Sequence, residues 1–360
     1  MNISQVYSKV VLTPFRQTFH TTYGKMTAHH PHLFVQVMTD TGQFGIGEAS
    51  PLPFVTGETA DIMKIAIDQV LAPAIQGLSI FALQEIHKRM NGVLGHMAGA
   101  KSAIDMALWD LQGKVLEKPI YQLIGAAYKD EIPLTYVIGS DAPDRMAQLA
   151  KEKITLGFTT LKVKIGANGR LDIEAIKQIR QAIGPEITIR VDANQGYTVA
   201  EAIRVINAMA DYDIDYVEQP VPYWNIDGLA RLRAAVSIPI MADESLYNHY
   251  DALELIKREA VDLFAIKLIK CGGIYPAIKI AQVAEAAGIE CVLISPWDTL
   301  LGTYANLHLS MVLSGNRAHE MVGPFYISHD PFGDVNWRGN AGLSKTCNGI
   351  GITTAFDQLG

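Results

Sequence analysis

The chain has 360 residues, 49% hydrophobic and 19% charged, with a formal net charge of −7. That length holds one large α/β barrel domain or two to three ordinary domains, and the apolar share excludes a disordered chain. No run reaches the roughly 18 apolar residues of a membrane span, and a pI near 5.8 without a basic cluster argues against nucleic acid and anionic membrane as partners. Three scattered cysteines, Cys271, Cys291 and Cys347, make neither a disulfide frame nor a zinc site. The first ten residues lack the pattern of a secretory signal, so a cytoplasmic enzyme is expected.

Taken in chain order, residues 1–128 open with alternating segments at Val6–Leu12, Leu33–Val37 and Gly42–Gly47, which predict an antiparallel meander. Helical periodicity follows at Ala60–Ala74, Phe81–Leu94 and Ala98–Leu116, where Ile104, Ala107, Leu108 and Leu111 share a face. This reads as an α+β unit. From about residue 129 to 324 the texture changes to short apolar strands, polar turns and amphipathic helices. Strands are expected at Leu134–Ile138, Thr160–Ile165, Ile187–Asp192, Tyr216–Glu218, Ile238–Ala242, Leu263–Leu268, Cys291–Ile294 and Glu320–Val322. Helices are expected at Asp144–Leu156, Asp172–Ile183, Val199–Tyr212 and Tyr250–Glu259. A recurrence of roughly 25 residues matches βα units closing into an α/β barrel of the TIM type. An open doubly wound sheet is the alternative, but no Gly-rich dinucleotide fingerprint sits at a βα turn. Residues 325–360 read as loop and short strand returning to the first unit.

The strand ends carry the chemistry. They read Lys162-Val163-Lys164, Asp192-Ala193-Asn194, Glu218-Gln219, Asp243-Glu244 and Lys267-Leu268-Ile269-Lys270. In a barrel of this kind these ends lie together on one face, so Asp192, Glu218 and Asp243 converge. Three close carboxylates repel unless a cation joins them, and an all-oxygen set suits Mg²⁺, with Mn²⁺ also fitting. Asn194 and Glu244 are expected to support this set. Glu244 follows Asp243 along a strand and so should point away from it, toward a lysine. Lys162 and Lys164 share a face, the first lowering the proton affinity of the second. Lys267, four strands around, faces Lys164 across the mouth, and Lys270 on the following turn reads as solvated or structural. A metal and two opposed lysines suit removal of the proton next to a carboxylate through an enediolate, with return on either face.

At these residues the sequence resembles the enolase superfamily, in its muconate lactonizing enzyme subgroup. The resemblance spans nearly the whole chain, including Gly45-Ile46-Gly47-Glu48-Ala49, Ser102–Leu111 and the Ile266–Gly273 run. It implies an α+β capping domain over a modified (β/α)7β barrel. It also implies Asp192, Glu218 and Asp243 as metal ligands, Lys164 and Lys267 as acid/base groups, Lys162 as modulator, and a homo-oligomer. At the seventh strand, where relatives carry a Glu, Ser295-Pro296-Trp297-Asp298 stands, so Asp298 is expected to take that supporting place. At the eighth, dipeptide epimerases carry Asp-x-Asp for the substrate ammonium; here Glu320-Met321-Val322 leaves Glu320 alone to meet a cation. Two loops of the capping domain, Phe19–Pro31 and Ser50–Glu58, are expected to contact substrate through Tyr23, Lys25 and Phe54, with Ser295, Asp298 and Glu320 from the barrel. The His-rich first loop reads as solvated.

The expected activity is thus racemisation or epimerisation of an N-acyl amino acid or dipeptide. Muconate-type cycloisomerisation, syn-dehydration of the o-succinylbenzoate synthase kind and a catalytically silent binding barrel are the alternatives.

Overall fold

The structure is a computed structural model. It describes all residues except 17–19, 22, 23, 26, 27, 126–128, 344–346, 355 and 360, with the side chains of 20, 21, 24 and 25 also outside the description. In the N-terminal unit, β1 (Ile3–Pro14), β2 (His29–Thr39) and β3 (Phe44–Ala49) form an antiparallel sheet in that order. Helices α1 (Pro53–Thr56), α2 (Ala60–Ala66), α3 (Leu83–Val93) and α4 (Ala98–Val115) follow.

Helix α4 is the keystone, and it is not amphipathic: every residue from Gly99 to Gly113 is buried. Two glycines of β3 let the sheet lie directly on it. A Cβ at Gly45 would sit 2.1 Å from the Ala107 carbonyl oxygen, and one at Gly47 2.1 Å from that of Ala103. The buried acids of α4 serve as backbone acceptors, since an unpaired buried carboxylate is costly. Asp105 accepts from the Ile274 and Tyr275 amides at 2.5 and 3.3 Å, and Asp110 from the Ile46 and Ile350 amides at 2.9 Å each.

Eight parallel strands form the second unit: β4 (Thr135–Ile138), β5 (Thr160–Lys164), β6 (Thr188–Asp192), β7 (Ile214–Glu218), β8 (Ile240–Ala242), β9 (Leu263–Ile266), β10 (Glu290–Ser295) and β11 (Glu320–Met321). They neighbour one another in sequence order. The Thr135 amide donates to the His319 carbonyl at 2.8 Å, bringing the last strand to the first. A doubly wound sheet would reverse its order at a switch point; this one runs on and closes. Helices α5 (Pro143–Thr155), α6 (Gly169–Ile183), α7 (Val199–Ala208), α8 (Ile226–Ala235), α9 (His249–Lys257), α10 (Ile274–Ala286) and α11 (Leu300–Ser310) alternate with the strands. Three of them, α8, α10 and α11, are absent from the sequence expectation.

Beyond β11 the chain returns to the first unit. Asn340–Ala341 pairs with Ile132–Pro133, Gly349 bridges to Pro119, and the Lys9 ammonium donates to the Leu359 carbonyl. No helix among the described residues is long and apolar enough to cross a membrane.

Candidate active site

The parallel register aligns the strand ends. Lys164 on β5 is the Cα partner of Asp192 on β6, and Asp192 that of Glu218 on β7. Asp243 and Lys267 are the first residues past β8 and β9. Lysine and acid side chains there close into one buried network. The Lys164 ammonium donates to Asp192 Oδ2 at 2.6 Å and to Asn194 Oδ1 at 2.9 Å. Lys162 lies 3.4 Å from the same Asp192 oxygen, 3.1 Å from Glu218 and 2.5 Å from Glu320. Lys267 donates to Asp243 Oδ2 at 2.5 Å. Glu320, expected to meet a cation, lies against the Lys162 ammonium and also lines the cavity.

Burial works against every charge in this network, and neighbours decide the outcome. For Lys162, burial is outweighed by Glu218, Glu320 and Asp192, which hold the ammonium well above the ordinary lysine range. For Lys267, burial is outweighed by Asp243, Glu218 and Glu244 together, which hold it above the ordinary lysine range. Asp192, against its burial, is held below the ordinary carboxylate range by Lys164 and Lys162, and Asp243 by Lys267 and Lys270. Glu218 goes the other way: burial, then the Asp192 and Asp243 charges, raise it well above that range.

Glu244 follows β8, which stops at Ala242. Glu244 lines the cavity and accepts from Asn194 Nδ2 at 3.1 Å, so it orients Lys164 through Asn194. Asn194 itself has φ 40°, a left-handed conformation that Asn tolerates better than most residues. Asp298 stands apart from the cavity. It accepts from Ser295 Oγ at 2.7 Å and from Asn306 Nδ2 at 3.3 Å, in a buried cluster with Glu48 behind β10. Neither Ser295 nor Asp298 lines the cavity. Tyr23 and the Lys25 side chain lie outside the described residues.

Two supporting residues, Gln219 and Tyr247, escaped the sequence reading, and Lys270 takes the structural of its two expected readings. It is buried and donates to Asp243 Oδ1 at 2.7 Å, to the Asp243 carbonyl and to the Ala265 carbonyl at 3.3 Å. Gln219 accepts from the Asp243 and Ser245 amides at 2.9 and 3.1 Å, fixing the turn after β8. The Tyr247 hydroxyl donates to the Val55 carbonyl at 2.7 Å, joining barrel to capping unit. Lys270 had a signal, since a lysine three residues after Lys267 and one turn on can reach the same acid.

A cavity with about 50 Å³ of room for water-sized molecules opens over this network. One side is polar: Lys162, Lys164, Asn194, Glu244, Lys267 and Glu320. The other is apolar, with Leu52, Phe54 and Val55 from the capping unit and Pro296, Trp297 and Val322 from the last two strand ends. Among the described residues no three acidic, histidine or cysteine side chains close on a single point, and Asp192 and Asp243 are paired with Lys164 and Lys267. The donor set nevertheless fits a hard divalent cation: three buried carboxylates, all oxygen donors, of which Asp192 and Asp243 raise the proton affinity of Glu218.

Residues 3–125 match the mandelate racemase / muconate lactonizing enzyme N-terminal domain, and residues 145–358 the enolase C-terminal domain-like family. A hydrophobic dipeptide epimerase of Enterococcus faecalis is 40% identical over 311 residues, covering 86% of this chain and 87% of that protein. An N-succinyl-L-Arg/Lys racemase of Bacillus cereus is 35% identical over the full length of both. The crystal structure of the dipeptide epimerase from Enterococcus faecalis with Mg and the dipeptide L-Leu-L-Tyr superposes with a TM-score of 0.93 at 38% identity, covering 98% of this chain and 100% of that one. With both halves matched and the strand-end network in place, the chain belongs to the mandelate racemase/muconate lactonizing enzyme family of the enolase superfamily.

Proposed function

We propose that the protein is a divalent-metal-dependent racemase or epimerase that inverts the α-carbon of an amino-acid derivative, an N-acyl amino acid or a dipeptide. The carrying observation is that two lysines from strands four apart, Lys164 and Lys267, line one cavity and are bonded to the buried carboxylates Asp192 and Asp243. The relatives' activities support the same reading. Asp192, Glu218 and Asp243 would hold the ion, Mg²⁺ by the precedent of the Enterococcus structure. When bound, it lends Lewis acidity to the substrate carboxylate.

The chain's own residues move the protons. One lysine, as the free amine, takes the α-proton from its face of the substrate and leaves an enediolate. The opposed lysine, as ammonium, gives a proton to the other face, and the two end with protonation states exchanged. Asn194 and Glu244 hold Lys164 on line, while Lys162 keeps a positive charge beside Asp192 and Glu218. The apolar side excludes water from the reacting carbon.

The test is incubation of N-acetyl amino acids and dipeptides in D₂O with Mg²⁺, followed by proton NMR. Wild type should exchange the α-proton from both enantiomers. Lys164→Ala and Lys267→Ala should each abolish racemisation and leave exchange of one enantiomer only, opposite in the two variants. Racemisation surviving in either variant removes the two-base assignment.

A further inference from the structure

We propose that Asp105, braced by His87, is a positioning residue for Lys267, so that the capping unit sets the working geometry of one proton-transfer lysine and leaves the other to the barrel. This rests on the two-lysine reading above. Strand β9 ends at Ile266, and Lys267 opens a single helical turn, Leu268–Cys271, that leads through Gly272 and Gly273 into α10. The Lys270 and Cys271 amides both donate to the Lys267 carbonyl, at 2.9 and 3.1 Å, so the lysine's own peptide moves with the turn.

The turn is gripped at two ends. Toward the cavity, Lys267 and Lys270 donate to Asp243 at 2.5 and 2.7 Å. Away from it, the turn lies on α4 of the capping unit. A Cβ at Gly99 would meet the Ile269 side chain at 3.2 Å, and one at Gly273 would meet Asp105 Oδ2 at 2.3 Å. Asp105 is fully buried and engages both oxygens. Oδ2 accepts from the Ile274 and Tyr275 amides at 2.5 and 3.3 Å, and Oδ1 lies 2.7 Å from His87 Nε2. The His87 ring stacks in turn on Tyr275, with centroids 5.1 Å apart. The first amides of a helix have no partner within it, so this carboxylate fixes where the turn hands over to α10. Lys164 leaves its strand differently. The Gly166 amide donates to Asp172 at 3.1 Å and to the Tyr197 hydroxyl at 3.2 Å, and that hydroxyl donates to Asp172 at 2.6 Å, all within the barrel. A shift at Asp105 therefore reaches Lys267 and leaves Lys164 in place. Asp243 and the paired strand still hold Lys267 nearby, so the loss is partial.

Single-lysine backgrounds separate the two bases: Lys164→Ala leaves Lys267, and Lys267→Ala leaves Lys164. Asp105→Ala removes the acceptor, and His87→Phe removes its brace while keeping a ring against Tyr275. With saturating Mg²⁺ and N-acetyl-phenylalanine in D₂O, either change should slow α-proton exchange about tenfold in the Lys164→Ala background. In the Lys267→Ala background the rate should stay within about twofold, whereas general damage to the fold or to metal binding would slow both alike. Without substrate, and with both lysines present, amide hydrogen exchange at residues 271–275 should quicken by about the same factor. Equal losses in the two backgrounds, no loss in either, or unchanged amide exchange would each overturn the assignment. Should Asp105→Ala not fold, His87→Phe decides it. If wild type exchanges the α-proton of neither enantiomer, the two-lysine reading fails, and the amide-exchange arm still decides whether Asp105 holds the turn.

Discussion

Asp298→Asn should make the protein more stable above neutral pH, and the reason lies in two acids that face each other in the dark. Glu48 accepts from the Thr299 and Gly302 amides at 2.8 and 2.9 Å and from the Thr299 hydroxyl at 2.5 Å. Those donors favour its charged form, yet burial pushes its carboxyl up to about 7. Asp298 has weaker support, and burial together with the Glu48 charge pushes it from an ordinary 3.8 to about 7. The folded protein therefore holds a proton on this cluster that the unfolded chain releases near pH 4. Stability is full below that pH, falls as pH rises toward 7, and the deficit is complete above 7. At ~1.4 kcal/mol per pH unit, a rise of three units costs about 4 kcal/mol. Asparagine imitates the protonated acid and still accepts from Ser295 and Asn306. Urea unfolding across pH 4 to 8 should show Asp298→Asn within about 1 kcal/mol of wild type at pH 4 and up to about 4 kcal/mol more stable at pH 8. Parallel pH curves, or a variant weaker at pH 8, would refute the argument.

Lys270→Met should cost about 3–5 kcal/mol in the same assay, because it strips a buried partner from Asp243 and leaves two oxygens short of a donor. A loss below about 1 kcal/mol would mean that Asp243 is held without it. Gly47→Ala should lose at least about 3 kcal/mol, since its Cβ meets backbone rather than a movable side chain. Gly92→Ala, with nothing within 4 Å of its Cβ, should instead gain about 0.5–1 kcal/mol in helix α3, a contrast readable in one set of melts.

The barrel was legible because five consecutive strands, β5 to β9, are apolar runs that end in or lead directly into a charge, and a buried parallel strand has no other reason to end so. The lysines and acids followed from that register. Helices were legible only where one face is wet. Helix α11 is buried from Leu300 to Ser310 at every residue but Tyr304 and shows no polar face to count. Helix α10 follows two glycines and carries Pro276 in its first turn, where proline is harmless but looks like a breaker. Helix α8 starts behind Asn225, whose side chain accepts from the Gly228 amide, a cap easily taken for a turn. The partner of Asp298 is invisible in local spacing, because Glu48 lies 250 residues away. Phe54 lines the cavity, while nothing near Tyr247 pointed to residue 55.

The two sides of the cavity come largely from different stretches of chain. Both proton-handling lysines, with Asn194 and Glu244, lie between residues 160 and 270, whereas most of the apolar lining is drawn from 52–55 and 294–322. Mutational drift can therefore remodel which molecule is admitted while the reaction itself stays untouched, which makes this scaffold easy to repurpose by small steps.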